Sequence, residues 1–595
     1  MDRKRAFKLR FRRRLRMQRQ QVGEFSSSAE QRLENDFFKR LERLGSVKRF
    51  VTSWMALVVL LVGCVVTQML GLSGYYQQLV PAPGGTYTEG ILGSFTSANP
   101  MYATGLVDTS VSRLLFAGLL TYDSNNQLTG DLANDWSVDA AGTTYTVHLR
   151  PHLTWQDGQP LTSADVLFTY RVIQNPDAGS PLQNAWQGIQ VAAPNPATVT
   201  FTLPNPLASF PYSLTTGIVP QHILGGVPMG EMRTSSFNTT NPVGAGPFQW
   251  QAIQLTGASA ETREENIALK PFAAYHAGKP KLNSFAVRSF RDQKQLIKSF
   301  EHDELNAVVG LTSAPPALKH DGAARIYNLP LTAATMVFFR NSAGVLSDAT
   351  VRKALVQAAD PTSIIANLDY STLPVREPLL HGQVGYNPLY QQAGYNTAAA
   401  AALLDGDGWV MGGDGLRHKG GQTLSFQLQA LDSGDYPQVA KQLVQQWRAV
   451  GAKAQLITQD ATTFQNALSY HTYDAILYGI SIGVDPDVFV YWDSSQGNVL
   501  APVRLNLSEW HSAQADTSLE AGRTRLDPAL RAIKYQPFLQ AWQADAPALG
   551  LYQPRFLYIT RGTVYGLSEH AINSDVDRFT NVQNWEIRRV KRADT

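Results

Sequence analysis

Residues 51–72, VTSWMALVVLLVGCVVTQMLGL, contain no charged side chain and divide the chain into two unlike parts. A run of that length is what a helix needs to cross ~30 Å of hydrocarbon. Before it, residues 1–50 carry 16 Lys and Arg against 6 Asp and Glu. The 595-residue chain has a formal charge of +3, so about +10 on that first segment leaves about −7 on the rest. By the positive-inside rule, the basic end stays in the cytoplasm and the long acidic part is exported. The sequence therefore predicts a basic cytoplasmic segment over 1–50, a membrane anchor over 51–72, a Pro- and Gly-rich linker over 73–84 and an ectodomain over 85–595.

The charge distribution also excludes partners. An acidic ectodomain is a poor match for nucleic acid. The basic tail lacks an interleaved pattern of stacking aromatics, and its bland role is to set topology and touch anionic inner-leaflet lipid. The single cysteine, Cys64, lies inside the apolar run, so the ectodomain has no intrachain disulfide and rests on its core alone. Leu61-Val62-Gly63-Cys64 also has the look of a lipidation site. Two anchors stay open: an uncleaved single-pass helix with the ectodomain on the outer face of the cell membrane, or a lipoprotein anchored at Cys64. The apolar residues that follow, Val65-Val66-Thr67-Gln68-Met69-Leu70, favour the helix.

Beyond Gly85 the composition is even, without repeats. Thr143–Leu149 and Thr198–Leu203 alternate as half-buried strands, with a helical pattern from Ser163 to Val172 between them. Val439, Leu443, Trp447 and Val450 share one helical face, Gly451 stops that helix, and Ala452–Ile457 reads as a strand. This is α/β architecture, and about 510 residues exceed a single core, so two or three lobes with a binding cleft between them are expected.

Several short segments follow one another in a fixed order: Ser97-Ala98-Asn99-Pro100-Met101-Tyr102, Gly130-Asp131-Leu132-Ala133, Tyr145-Thr146-Val147-His148-Leu149-Arg150 and Trp155-Gln156-Asp157-Gly158. Gly244-Ala245-Gly246-Pro247-Phe248, Val351-Arg352-Lys353-Ala354-Leu355, Tyr473-Asp474-Ala475-Ile476-Leu477 and Asp485-Pro486-Asp487 continue it. Together they resemble the extracellular solute-binding proteins of ABC importers (family 5), which include dipeptide- and oligopeptide-binding proteins. Locally most of these residues are structural: Asp157-Gly158 suits a turn, Thr162 or Ser163 a helix cap, and Gly244 and Gly246 a tight crossing of the chain.

The resemblance implies a type II periplasmic-binding-protein fold with three lobes and an interlobe cleft, preceded here by one N-terminal transmembrane helix. Lobe I would gather about 85–112, 241–335 and 548–595, lobe II about 113–240, and lobe III about 336–547. It implies a ligand held between closing lobes, most often a peptide paired along a strand, and delivered to an ABC permease with its separate ATPase. No cofactor and no metal are implied. Tyr478, Gly479, Ile480 and Ser481 correspond to the ligand-pairing strand, and Gly479 would let a ligand backbone come close. Phe95, Tyr478 and Trp492 are aromatic candidates for the cleft wall, against a core role for each. Peptide-binding relatives grip the ligand ammonium with a carboxylate three residues before the Asp-Pro pair, and that position is Ile482. Either Asp485 or Asp487 replaces it, or the ligand has no free amine there, as with a capped peptide, a sugar or a metal chelate.

A catalytic reading finds little support. No G-x-S-x-G or H-E-x-x-H motif is present. Glu301-His302-Asp303-Glu304 reads as a solvated helix end, Asp405-Gly406-Asp407-Gly408 as a turn, and His471 has no evident Ser or Asp partner. Paired glycosidase carboxylates, distant in sequence, and a sensor that kept the receptor fold remain the alternatives to a transport receptor.

Overall fold

A computed structural model of the chain describes residues 48–73, 77–257, 259, 263–498, 500–501 and 504–593. The basic segment expected over 1–50 thus lies, as far as residue 47, outside the described residues. Two units are distinguished, one holding 48–80 and 589–593, the other Pro81–Arg588. In the first, Lys48–Ser73 is one 26-residue helix. Its central Phe50–Met69 has a mean hydropathy of 2.3 and buries none of its surface within the protein. At 1.5 Å per residue it is long and apolar enough to cross a membrane. Val and Thr are mediocre helix formers, and here Thr67 returns its hydroxyl to the Cys64 carbonyl at 3.2 Å. Cys64 is exposed on the helix and free. The stretch expected as a spacer is partly ordered: Gln77–Ala82 is a strand that pairs with Arg588–Ala593.

The second unit is built on three sheets. The largest has seven strands in the order Ala324–Pro330, Arg555–Arg561, Ala307–Val309, Thr86–Leu92, Ser284–Phe290, Glu264–Pro271, Phe248–Thr256. Thr86–Leu92 runs parallel to both of its neighbours, and the outer pairs are antiparallel. A five-stranded sheet has the order Lys453–Gln459, Ser425–Leu431, Ala475–Ser481, Ala333–Phe339, Ala548–Tyr552. Every residue of Ala333–Phe339 is buried, as befits a strand covered on both faces. One face carries Val439, Leu443 and Trp447 from the helix Tyr436–Ala449, and the other an aromatic layer of Trp492, Trp510 and Trp542. The four-stranded antiparallel sheet joins Ala133–Val138, Thr144–Leu149, Thr198–Thr202 and Gln190–Asn195.

The helix after Asp157-Gly158 spans Ser163–Gln174, and Thr162, not Ser163, is its cap, with Asp165 returning the bond to the Thr162 N–H at 2.9 Å. Gly244 is required by close approach: a Cβ there would sit 1.9 Å from the Leu115 carbonyl oxygen, in a chain pass locked by Gly246 N–H donating to that oxygen at 2.8 Å.

The chain moves between the seven- and five-stranded sheets at Leu331-Thr332 and again at Gln553-Pro554, and the two passes are bonded to each other, Leu331 N to Pro554 O at 2.9 Å. The sequence division put these boundaries at 335/336 and 547/548. Sheet membership moves both, because Ala333–Phe339 and Ala548–Tyr552 are adjacent strands of the five-stranded sheet. Burial alternation does not mark such a boundary, since strands on either side of it are equally apolar.

Candidate functional site

A cavity of about 300 Å³ lies beside the two chain passes, between the seven- and five-stranded sheets. Gly310, Leu311 and Thr312, just past the strand Ala307–Val309, and Leu106, at the start of the helix Leu106–Leu115, form its wall on the side of the larger sheet. Thr335, Tyr436 and Tyr552 form the opposite wall, and Arg555 and Phe556 the floor at the second pass. Two carboxylates reach it, Asp435 and Asp575. Asp435 ends the turn before the helix Tyr436–Ala449, and Asp575 opens the short helix Asp575–Phe579. The Tyr370 hydroxyl donates to Asp435 at 2.7 Å. Burial raises the Asp435 carboxyl above its ordinary value, against the Tyr370 hydrogen bond and the Arg555 charge. Burial likewise raises Asp575, against the Arg578 charge.

The strand expected to pair with a ligand runs from Ala475 to Ser481 and is antiparallel to Ala333–Phe339, with Gly479 opposite Thr335. Tyr478 and Gly479 are half-buried and Ser481 is exposed. The room left by Gly479 is already used: a Cβ there would lie 3.0 Å from the Tyr436 hydroxyl, which closes over it beside the cavity. Ser481 gives its carbonyl to the Tyr491 hydroxyl at 2.6 Å. Phe95 is half-buried and packs on Trp250, ring centroids 6.0 Å apart.

Three expectations need correction. Ile480 is a core residue, because the period of two turns its side chain under the sheet into the aromatic layer. Trp492 does not line a cleft. It is 0% exposed and packs edge-on to Trp510 and Trp542 at 6.4 and 5.9 Å. Asp485 is committed to Arg531 through two bonds of 2.6 and 2.7 Å, a bidentate pair with little exposure. Asp487 is committed as well, accepting from Ser209 at 2.9 Å and Arg523 at 3.0 Å. Neither carboxylate replaces the one missing at Ile482, whose own N–H bonds Thr332 O at 3.0 Å.

The candidates for catalysis are structural where they are described. His471 takes φ +52° at the end of the helix Ala461–Tyr470, with Nδ1 3.0 Å from Glu509 and Nε2 3.1 Å from Arg504 O. The His471 hydrogen bond pulls the Glu509 carboxyl down to about 2, against burial. Ser342 donates to that carboxylate instead of to the imidazole, the reverse of what a serine nucleophile needs. Glu304 pairs with Arg288 and Asp303 with Arg561, so the acidic run near His302 is split between two partners. Among the described residues no group of three or more His, Cys, Asp or Glu side chains is placed to hold a metal ion.

Sequence reasoning missed Asp435, Tyr436, Tyr552, Arg555 and Asp575. They come from three distant segments, and none belongs to a motif. Only Gly434-Asp435-Tyr436, a turn into a strongly patterned helix, left a trace.

Comparison with known proteins agrees with this architecture. Residues 127–500 match the bacterial extracellular solute-binding proteins, family 5 (middle region). The oligopeptide-binding protein AppA of Bacillus subtilis is 24% identical over 511 residues, covering 84% of this chain and 92% of its own. The solved structure of AppA from Bacillus subtilis in complex with a nonapeptide superposes with a TM-score of 0.67 at 22% identity, covering 85% of this chain and all of that one. NikZ from Campylobacter jejuni, in complex with Ni(L-His), gives a TM-score of 0.69 at 24% identity, covering 84% and 99% of the two chains. These likenesses establish the fold of type II periplasmic binding proteins. The sheets, their two connecting passes and the matched span of sequence lead to one conclusion: this chain belongs to family 5 of the bacterial extracellular solute-binding proteins.

Proposed function

We propose that this protein is the membrane-tethered receptor of an ABC importer, catching a peptide between lobes that close on it and passing it to a permease. The supporting observation is the cavity of about 300 Å³ set beside the two chain passes, where any closure of one sheet on the other changes its walls. The three lobes would be centred on the seven-, four- and five-stranded sheets. The helix Lys48–Ser73 would hold the receptor at the outer face of the cell membrane and raise its effective concentration at the permease. AppA is named for oligopeptides, and its solved complex holds nine residues of one. The residues proposed to meet the ligand are Phe95, Tyr478, Gly479 and Ser481 along the strand and loop edges, together with Tyr436 and Tyr552 at the cavity.

A second reading has its own support. The absent carboxylate at Ile482, with Asp485 and Asp487 consumed by arginines, suits a non-peptide solute, and NikZ was solved with Ni(L-His). Native mass spectrometry of the full chain, extracted from cells grown in rich medium, tests both. A retained family of peptide masses is expected. A single non-peptide mass selects the second reading, and a chain that never retains a solute contradicts both. The same spectrum reads the anchor: an intact chain supports the helix, and a lipid-modified chain beginning at Cys64 refutes it.

A further inference from the structure

The cations around the cavity are all engaged, while its two carboxylates have no cation bonded to them. Arg555 lies 3.8 Å from the centre of the Tyr370 ring and bonds Asn328 and, at 3.0 Å, Asp369. Lys319 shares Asp369 at 2.7 Å. Arg578 bonds Glu89 at 2.5 Å and the backbone carbonyl of Asp575 at 2.6 Å. Asp435 accepts one neutral hydroxyl, from Tyr370. Oδ2 of Asp575 is shut off from solvent and has no hydrogen-bond partner among the described residues. An unpaired buried carboxylate is costly, and the arrangement persists only if something completes it.

The rest of the wall narrows what that is. Tyr436, Tyr552 and Phe556 present aromatic surface, which attracts cations and disfavours anions. An anion would face two carboxylates, and an apolar group would leave Asp575 unbonded. The same carboxylate is missing where peptide-binding relatives hold an ammonium, at Ile482, and the two acids downstream are tied to Arg531 and Arg523.

We propose that this cavity anchors a cationic group of the captured solute, an ammonium or guanidinium, between Asp435 and Asp575. The inference rests on the proposed receptor function and adds the chemistry of the part that is gripped. The cation comes either from a free amino terminus or from a basic side chain or amine, and the test separates these sources.

The full chain in detergent is equilibrated with two equimolar mixtures, and retained compounds are quantified by mass spectrometry. One mixture contains pentapeptides with free amino termini, the same peptides N-acetylated, and N-acetylated peptides with an internal Lys. The other contains non-peptide amines, quaternary ammonium compounds, sugars and carboxylates. Cationic compounds are expected to be enriched at least tenfold. Retention of the free-terminus peptides alone identifies the amino terminus, and retention of the internal-Lys peptides identifies the side chain. Asp435→Asn and Asp575→Asn should each lower the enrichment at least fivefold, with folding followed by circular dichroism. Because the wild-type enrichment is read on its own, a variant that fails to fold does not rescue the proposal. Amines retained without any peptide would end the peptide reading and leave the cation anchor standing. Retention of mainly neutral or anionic compounds, no cation retained from either mixture, or enrichment unchanged in both folded variants would overturn it.

Discussion

Two acidic regions of this molecule are treated in opposite ways. In the loop after the strand Ala475–Ser481, Asp485 and Asp487 are each met by an arginine, Arg531 and Arg523, and add nothing free to the space around them. At the cavity between the sheets, Asp435 and Asp575 sit among cations that are already bonded elsewhere. A motif drew attention to the first pair, and no motif marks the second. The contrast separates charge that holds the chain together from charge left for something else, because a completed ion pair has no capacity for a ligand.

The sharpest way to break the comparison is to strip one partner from the completed pair. Arg531→Ala leaves Asp485 buried without its two bonds, and a loss of about 3–5 kcal/mol in unfolding free energy is expected. Denaturant titration of the variant checks it. A loss under about 1 kcal/mol would mean that this pair is no more structural than an exposed surface bridge.

Glu377 supplies a third case, a fully buried carboxyl with neither cation nor cavity. Burial pushes it up to about 8, against a single hydrogen bond from the Asn387 N–H. The folded chain therefore keeps a proton that the unfolded chain releases above its ordinary value of 4.5. The stability this provides is complete below that value and drains away as pH rises through about 8. Between pH 5 and pH 8 the drop is expected to reach about 3 kcal/mol, at ~1.4 kcal/mol per unit of pKa. Thermal melts of Glu377→Gln should lack that part of the pH dependence. An identical slope in variant and wild type would show that Glu377 is ionised or solvated when folded.

The smallest expected effect is at Gly479. Gly479→Ala brings a methyl to about 3.0 Å from the Tyr436 hydroxyl, and a cost of about 1 kcal/mol follows if the tyrosine shifts slightly. Coupling it with Tyr436→Phe in a double-mutant cycle should recover part of that cost. Strict additivity would remove the contact between the strand and the cavity wall.

Much of the scaffold was legible because it obeys simple periods. Val439, Leu443 and Trp447 announced the helix Tyr436–Ala449 to within one residue, and the alternation in Thr144–Leu149 announced its strand. The ordered series of motifs carried the family. The site was much less legible. Ile480 and Trp492 were assigned outward from their neighbourhood in sequence, while the sheet's alternation and the aromatic layer beneath it turn both inward. Asp435 and Asp575 are 140 residues apart, and only the folding of two sheets against two short chain passes makes them neighbours. Asp485 looked available because its partner Arg531 stands 46 positions away on another helix.

The most direct measurement of the central claim is hydrogen exchange of the full chain with and without a solute retained from the mixtures. The account predicts slowed exchange at 310–312, 434–436 and 552–557, the segments that wall the cavity, with a smaller change at 478–481. Protection confined to segments remote from the two chain passes, with these four unchanged, would contradict it.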